Sequence, residues 1–294
     1  MQVLKYGQKL NKNAILCLGY FDAFHKGHKR LIEVAKQTAK SQNLAVATLL
    51  FTGGKNNEKD VFTLEERLEI AKKLGVEIAI VQPLDCEFMA KDKSQFVFDI
   101  LNFNSIKAVV SGKDFRFGKN ALGNVNYLKE ICAISGVESI VLDDIVNDFG
   151  ERYSSKNVKK LLDNGEIEKV NDYLGHDYFI QGEVVAGKKL GSKIGFPTAN
   201  IIPNDSKYLI KRGVYLTYTN ICGKTYKCLT NVGAQPTFKG KNEIIESYID
   251  NFSGDLYGKT ITFNFVKRIR DIYNFSSKEE LINQLKKDKE FLLW

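Results

Sequence analysis

Along the first half of the chain, short apolar runs alternate with stretches of helical periodicity, the pattern of a parallel sheet with crossover helices. The runs Ala14–Leu18, Ala45–Phe51, Ile78–Val81, Ala108–Ser111 and Ser139–Leu142 read as strands. Between them, Lys29–Ala39, Leu64–Leu74, Gln95–Leu101 and Asn126–Ile134 place apolar residues at three- and four-residue spacing, which makes them helices. The second helix is punctuated at both ends: Thr63 with Glu66 forms a capping box, and Gly75 falls where a left-handed residue ends a helix.

After Tyr153 the pattern becomes polar and Lys-rich with helical spacing, over Asn157–Leu162 and Glu166–Leu174. From Phe179 to Val266 it changes again, to short runs (FIQGEVV, GVYLTYTNI, KTYKCLTNV, IIESYI, TITFNFV) rich in β-branched and aromatic residues. Such runs, separated by glycines, predict a small antiparallel barrel. A second capping box, Ser277 with Glu280, opens a closing helix that runs to about Leu292. The expected fold is therefore α/β, with a Rossmann-like parallel-sheet domain over residues 1–174 and a small antiparallel β-barrel domain with a closing helix over 175–294.

A chain of 294 residues is long enough for two such cores. The net charge of +8 suits anionic partners, but the lysines are scattered over solvated faces and no aromatic-and-basic signature or zinc spacing accompanies them. Phosphorylated small molecules are expected as partners and nucleic acid is not. The five cysteines, Cys17, Cys86, Cys132, Cys222 and Cys228, form no CxxC pair, and the N-terminus has no basic-then-apolar leader. These features predict a reduced, cytoplasmic protein. No apolar stretch approaches the ~20 residues that a membrane helix needs. An oligomeric state is not readable from the sequence.

The first strand runs into Gly19-Tyr20-Phe21-Asp22-Ala23-Phe24-His25-Lys26-Gly27-His28 and then a helix. Ligands of open α/β sheets bind beyond the carboxyl ends of strands, where a helix start offers free N–H groups and partial positive charge to phosphates. His25 and His28, three apart at that start, can both face a triphosphate and stabilise the charge that develops as pyrophosphate leaves. The third histidine, His176, stands alone near the domain boundary and is assigned nothing.

With these residues in place, the segment resembles the HxGH nucleotidyltransferase superfamily, and in its GxFDxxHxGH form the FMN adenylyltransferase module of bacterial bifunctional FAD synthetases. Thr63–Arg67 matches a further family segment, and Gly112-Lys113-Asp114-Phe115-Arg116-Phe117-Gly118 resembles the family's GxDFxFG element. The resemblance implies that Gly19, Phe21, Asp22, His25, His28 and Asp114 bind nucleotide, with His28 catalytic, and that Asp114 and Phe115 reach the flavin. The family's Ser-Ser-Thr-x-Ile-Arg run corresponds to Ser154-Ser155-Lys156-Asn157-Val158-Lys159, which implies phosphate contacts from Ser154, Ser155 and Lys159. Read without the family, the two serines are simple helix caps. Lys159 supplies a point charge without arginine's planar fork. Two further departures are Thr52-Gly53-Gly54-Lys55, where the family has a proline- and histidine-containing loop, and Asp22-Ala23 in place of Asp-Gly.

The second domain opens with Gly182–Gly187 and then Gly191-Ser192-Lys193-Ile194-Gly195-Phe196-Pro197-Thr198-Ala199-Asn200. Glycines at 187, 191 and 195 let backbone approach phosphates, although such a loop is neither a Walker P-loop nor a protein-kinase glycine loop. The string GFPTAN resembles a signature of the riboflavin kinase family. Asn231–Phe238, Glu246, Asp255–Gly258 and Phe275–Asp288 follow in family order over about 110 residues. The resemblance implies that Gly187, Gly191 and Gly195 approach nucleotide and that Thr198 and Asn200 hold Mg²⁺ with the ATP phosphates. It also implies that Asn231 and Glu246 face the flavin, with Glu246 as base for the riboflavin 5′-hydroxyl. Phosphoryl transfer needs such groups: a positioned hydroxyl, a bridging cation and a carboxylate that takes one proton. Ser192 stands where the family often has Arg, and Tyr248 where His is frequent.

The expectation is an enzyme that uses ATP and Mg²⁺ to turn riboflavin into FMN and FMN into FAD. Two alternatives stay open: a riboflavin kinase with an altered nucleotidyltransferase module, and a non-catalytic flavin or nucleotide sensor that kept the fold.

Overall fold

The computed structural model describes residues 1–53, 58–101, 105–147, 150–187, 195–237 and 240–293. By its contacts the chain separates into two compact units, Met1–Ser155 and Lys156–Trp294.

The first unit is a six-stranded sheet in which every pairing is parallel. Its strands are β1 (Gln2–Lys5), β2 (Ala14–Leu18), β3 (Ala45–Thr52), β4 (Ile78–Pro83), β5 (Ile106–Gly112) and β6 (Glu138–Leu142). The connecting helices are α1 (Lys26–Gln42), α2 (Leu64–Lys73), α3 (Cys86–Ala90), α4 (Lys93–Leu101) and α5 (Val125–Ile134). Asn43 ends α1 in the left-handed conformation, and the Thr63–Glu66 box that opens α2 has both of its hydrogen bonds.

One face of the sheet, with Leu16, Leu18, Leu49 and Val109, packs with Phe96, Val97, Ile100, Leu128 and Cys132 of α4 and α5 in a single buried cluster. Each fully buried aliphatic side chain there contributes roughly 1.5–3 kcal/mol.

Strand order β1-β4-β3-β2-β5-β6 positions the site. From β2 the chain proceeds through α1 to β3 and then β4 on one side, whereas β5 leads through α5 to β6 on the other. The direction of winding therefore reverses between β2 and β5, which pair with Leu18 opposite Ser111. Such a reversal opens a crevice beyond the carboxyl ends of the two strands. Gly19–His28 and Gly112–Gly118 are the segments that leave those ends.

The second unit begins with α6 (Ser155–Asn164), which straddles the division, and α7 (Ile167–Leu174). It continues as a closed antiparallel barrel of β7 (Phe179–Val185), β8 (Thr198–Ile201), β9 (Gly213–Ile221), β10 (Lys224–Thr237), β11 (Gly240–Ile249) and β12 (Thr260–Arg270), in the order β10-β11-β8-β7-β12-β9. Residues 156–174, which the sequence pattern sets with the first domain, have partners in this unit. Asn171 of α7 donates to the Phe265 carbonyl at 2.8 Å and accepts from the Tyr178 N–H, and the Lys211 N–H donates to the Leu162 carbonyl of α6 at 2.9 Å.

The barrel interior holds a row of hydroxyls. Thr217, Thr230 and Ser247 are buried and linked at 2.6 and 2.7 Å across three adjacent strands, so each satisfies its neighbour. The closing helix α8 (Lys278–Lys289) is capped by Ser277, whose hydroxyl accepts from the Glu280 N–H. It is held to β12 by a bidentate pair, Arg270 Nε and Nη2 to the buried Asp288 carboxylate at 3.0 and 2.7 Å. Leu292, in the 3₁₀ turn that follows, covers Leu216 and Leu229 on the outside of the barrel. Among the described residues no helix is long and apolar enough to cross a membrane.

Candidate active sites

Beyond β2 the backbone turns sharply into α1. Phe21 (φ 49°) and Phe24 (φ 46°) take the left-handed conformation, unusual for bulky residues and a form of stored strain. Both rings are buried, 5.3 Å apart, and the Phe21 ring lies 4.8 Å from that of His28. Gly19 makes room for this turn, since a Cβ there would come within 3.2 Å of the Phe21 ring.

His25 is the N-cap of α1. Its Nδ1 accepts the His28 backbone N–H at 3.3 Å, and the two imidazoles stack with centroids 3.8 Å apart and planes 14° from parallel. Because Nδ1 accepts, the proton of neutral His25 sits on Nε2. Gly27 permits the stack: a Cβ there would lie 3.0 Å from His25 Nδ1. His28 Nδ1 is fully shielded and has no hydrogen-bond partner among the described residues. Burial pushes His25 down to about 4, reinforced by the nearby Arg152 charge. Burial, then His25 and Arg152, also hold His28 well below the usual imidazole range. Both rings are therefore neutral donors at neutral pH.

The buried Asp22 carboxylate accepts the Val61 N–H at 2.5 Å, which ties the turn to the segment ahead of α2. From within α2 the buried Arg67 donates to the Phe51 carbonyl at 2.7 Å and to Asp60 of that segment at 3.1 Å. Asp114, just past β5, is ion-paired with Arg152, whose Nε also lies 3.3 Å from Asp144. Phe115 packs partly buried against the core, 5.6 Å from Phe117. Tyr153 sits beside the head of α1, with the Lys26 ammonium 5.7 Å from its ring centre, and leads directly into Ser154 and Ser155.

The first unit thus brings Gly19, Phe21, Asp22, His25 and His28 into one turn, with Asp114 related to both imidazoles through Arg152. Lys159 belongs to the second unit, where its ammonium lies 5.3 Å from the Tyr208 ring centre. Gly54 and Lys55 lie outside the described residues. Arg152 is absent from the sequence reading because no motif marks it and its partner Asp114 is 38 positions away.

In the second unit, cross-strand register assembles the other candidates. Glu246 stands opposite Asn200 of β8 and Asn231 of β10, and Thr198 stands opposite Tyr248. Directly opposed side chains share a face, and residues two apart on a strand return to it. That face is the outer one, because Ile245, Ser247 and Ile249 are buried and alternate with Glu246 and Tyr248. Thr198 Oγ1 donates to Glu246 Oε1 at 2.7 Å. Gly187 lies so close that a Cβ would be 2.4 Å from Asn200 Nδ2, so only glycine brings its backbone to that amide. Gly195 takes a positive φ of 84°. The Phe196 ring packs edge-on at 5.3 Å against Tyr248, whose hydroxyl donates to Asp250 and accepts from Lys289. Gly191 and Ser192 lie outside the described residues.

Two candidate sites sit on two units. A family model described as FAD synthetase matches residues 7–157, and one described as riboflavin kinase matches residues 174–293. The bifunctional riboflavin kinase/FMN adenylyltransferase of Bacillus subtilis (strain 168) is 32% identical over 94% of this chain and 90% of its own. The chain belongs to the bifunctional riboflavin kinase/FMN adenylyltransferase family. The Listeria monocytogenes member is likewise 32% identical, over 95% of this chain and 91% of its own. Among solved structures, that of a protein described as a macrolide-efflux protein from Streptococcus pneumoniae aligns over 100% of both chains, with a TM-score of 0.89 at 27% identity. Membership makes the chain an enzyme of FAD biosynthesis, a kinase and nucleotidyltransferase for which ATP is the co-substrate.

Proposed function

We propose that the barrel converts riboflavin and ATP to FMN and ADP, and that the parallel-sheet unit converts FMN and ATP to FAD and pyrophosphate, with phosphorylation assigned to residues 175–294 and adenylylation to 1–174. The observation that carries the kinase reading is the Thr198–Glu246 hydrogen bond on the face that Asn200 and Asn231 share. In this reading Glu246 accepts the proton of the riboflavin 5′-hydroxyl while that oxygen attacks the γ-phosphorus of ATP. Asn231 and Glu246 border the flavin, and Gly187, Gly191 and Gly195 leave backbone free to approach the nucleotide.

The donor set fits Mg²⁺, a hard cation that takes oxygen ligands. By giving its proton to Glu246, the Thr198 hydroxyl keeps lone pairs for a cation, and the Asn200 amide supplies a second oxygen. When bound, Mg²⁺ would offset the negative charge of the ATP phosphates. Thr198 and Asn200 would hold it, and Gly187 leaves the space beside Asn200 open to phosphate.

In the adenylyl transfer site, His25 and His28 face the triphosphate as neutral donors, and His28 stabilises the charge that develops on the leaving pyrophosphate. Gly19 and Phe21 shape the turn and Asp22 anchors it. Ser154 and Ser155 offer hydroxyls to phosphate oxygens. Asp114, oriented by Arg152, and Phe115 take the nucleotide and flavin edge. A cytoplasmic setting is supported by five cysteines that are all free.

The test is incubation of the pure protein with riboflavin, ATP and Mg²⁺, with riboflavin, FMN and FAD resolved by chromatography. Accumulation of FAD is expected. FMN alone would confine activity to the barrel, and neither product would leave a flavin or nucleotide sensor.

A further inference from the structure

A polar cluster lies beside Glu246 on the outer face of the barrel. Tyr248, two residues after Glu246 on β11, donates its hydroxyl to Asp250 Oδ1 at 3.1 Å and accepts from Lys289 Nζ at 3.2 Å. Lys289 also lies 3.3 Å from Asp250, so the three groups close a triangle. The bonds to Tyr248 and Asp250 hold the Lys289 ammonium above the usual lysine range, which keeps the donor charged. Because Lys289 is the last residue of α8, the strand and the closing helix meet at one phenol.

Stability alone does not account for the cluster. The Lys289 side chain is 47% exposed, and an exposed ion pair contributes little to folding. The Tyr248 ring packs with Leu216, Leu229 and Leu292, contacts that phenylalanine would make as well. What the hydroxyl adds is a fixed direction for the ring. That direction bears on the kinase site by two routes. The Phe196 ring meets Tyr248 edge-on at 5.3 Å, with planes 61° apart. On the ladder Tyr248 stands directly opposite Thr198, whose hydroxyl binds Glu246. Pro197 joins the two contacts and restricts the backbone on both sides of itself, so a ring that stops Phe196 also sets where Thr198 enters β8.

We propose that Tyr248, held by Lys289 and Asp250, is a positioning residue of the kinase that fixes the Phe196–Thr198 segment for ATP. The proposal rests on the kinase reading above and adds a residue that reading does not use. Tyr248 acts through Phe196 and Thr198 rather than on a reacting atom. Its loss is therefore felt at the nucleotide and not at riboflavin.

The full-length chain and its Tyr248→Phe, Lys289→Met and Lys289→Arg variants are compared in two ways: backbone amide exchange of residues 196–201 in the chain without ligand, and riboflavin phosphorylation at varied ATP and varied riboflavin. Hydrogen bonds to charged groups are worth enough that Tyr248→Phe and Lys289→Met should each speed that exchange, and raise the KM for ATP, roughly three- to tenfold. The KM for riboflavin, the melting temperature and FAD formation from supplied FMN should stay near the parent values. Lys289→Arg should recover most of the loss because it restores a charged donor. Unchanged exchange and ATP KM in Tyr248→Phe overturn the proposal, while FMN formation by the parent leaves the kinase reading intact. An effect in Tyr248→Phe that Lys289→Met lacks overturns it too, since the hydroxyl would then act without α8. An equal rise in the riboflavin KM, or a melting temperature that falls in step with the activity, overturns it as well, because the cluster would then be general packing. A parent chain that forms no FMN overturns the kinase reading and the proposal together.

Discussion

Thr198 Oγ1 donates a hydrogen bond to Glu246 Oε1 at 2.7 Å, across strands whose register sets Glu246 directly opposite Asn200. The bond fixes the carboxylate and leaves its second oxygen for a substrate proton. A carboxylate so oriented, on the outer face of a closed barrel, is built to accept rather than to pack.

Glu246→Gln keeps the shape and removes the proton acceptor. Riboflavin phosphorylation should fall by roughly 10²–10⁴-fold, the usual worth of a general base. FAD production from supplied FMN should persist, which makes the other activity of the same preparation the control for folding. A kinase rate near that of the parent would require another base.

Gly27→Ala tests the imidazole stack without touching either histidine. The added methyl would lie 3.0 Å from His25 Nδ1 and 3.1 Å from Cε1, so the ring must move and the cap on the His28 N–H weakens. Loss of a helix cap costs roughly 0.5–2 kcal/mol. The expected outcome is a modest drop in melting temperature with a selective loss of FAD formation, read by chromatography beside unchanged FMN formation.

A feature is legible in the sequence to the extent that it is local. The His25–His28 turn and the Thr63–Glu66 box lie within a few consecutive residues, so spacing alone exposes them. Strand β8 carries no such signal, because Thr198–Ile201 has only four residues and follows Pro197, too short a run for a period of two to declare itself. Strand β1 is a four-residue edge with mostly exposed positions, and α3 is a single capped turn of five residues. The Arg152–Asp114 pair exists only because β5 and the segment after β6 converge in space. Glu246 has no local mark either; the family resemblance pointed to it, and the strand register supplies its neighbours.

Arg270→Leu should destabilise the second unit strongly. The guanidinium is 11% and the Asp288 carboxylate 2% exposed, and removing one partner strands a buried charge. Such a loss typically costs about 3–5 kcal/mol. Addition of Asp288→Asn should restore part of it, because the neutral amide no longer needs a cation and can still bond Gln284, which now donates to Asp288 at 2.8 Å. Melting curves of the two variants decide the point: no recovery in the double variant would mean that Arg270 matters through its packing over Tyr273 and Phe275 rather than through charge.

The imidazole pair predicts a stability that depends on pH in one direction. His25 is depressed to about 4 in the folded chain by burial and the Arg152 charge, and His28 is shifted the same way. An unfolded histidine titrates near 6.5. Above about pH 6.5 both rings are neutral in both states and contribute no slope. As pH falls from there toward 4, the unfolded chain takes up protons that the folded site refuses, so stability declines by up to about 1.4 kcal/mol per pH unit for each histidine. Protonated carboxylates add a similar acid loss, so the parent curve alone is not diagnostic. The comparison that isolates the effect is parent against His25→Gln, with melting temperature followed between pH 7 and 5. The variant should start lower, because the cap is weakened, and should lose less on acidification. ATP bound at the site should flatten the parent curve as well, since phosphate oxygens favour the imidazolium form. If the two proteins lose stability in parallel across that window, the His25 pKa is not depressed in the folded chain, and its ring lies in a wetter, more polar setting than the stacked turn described above.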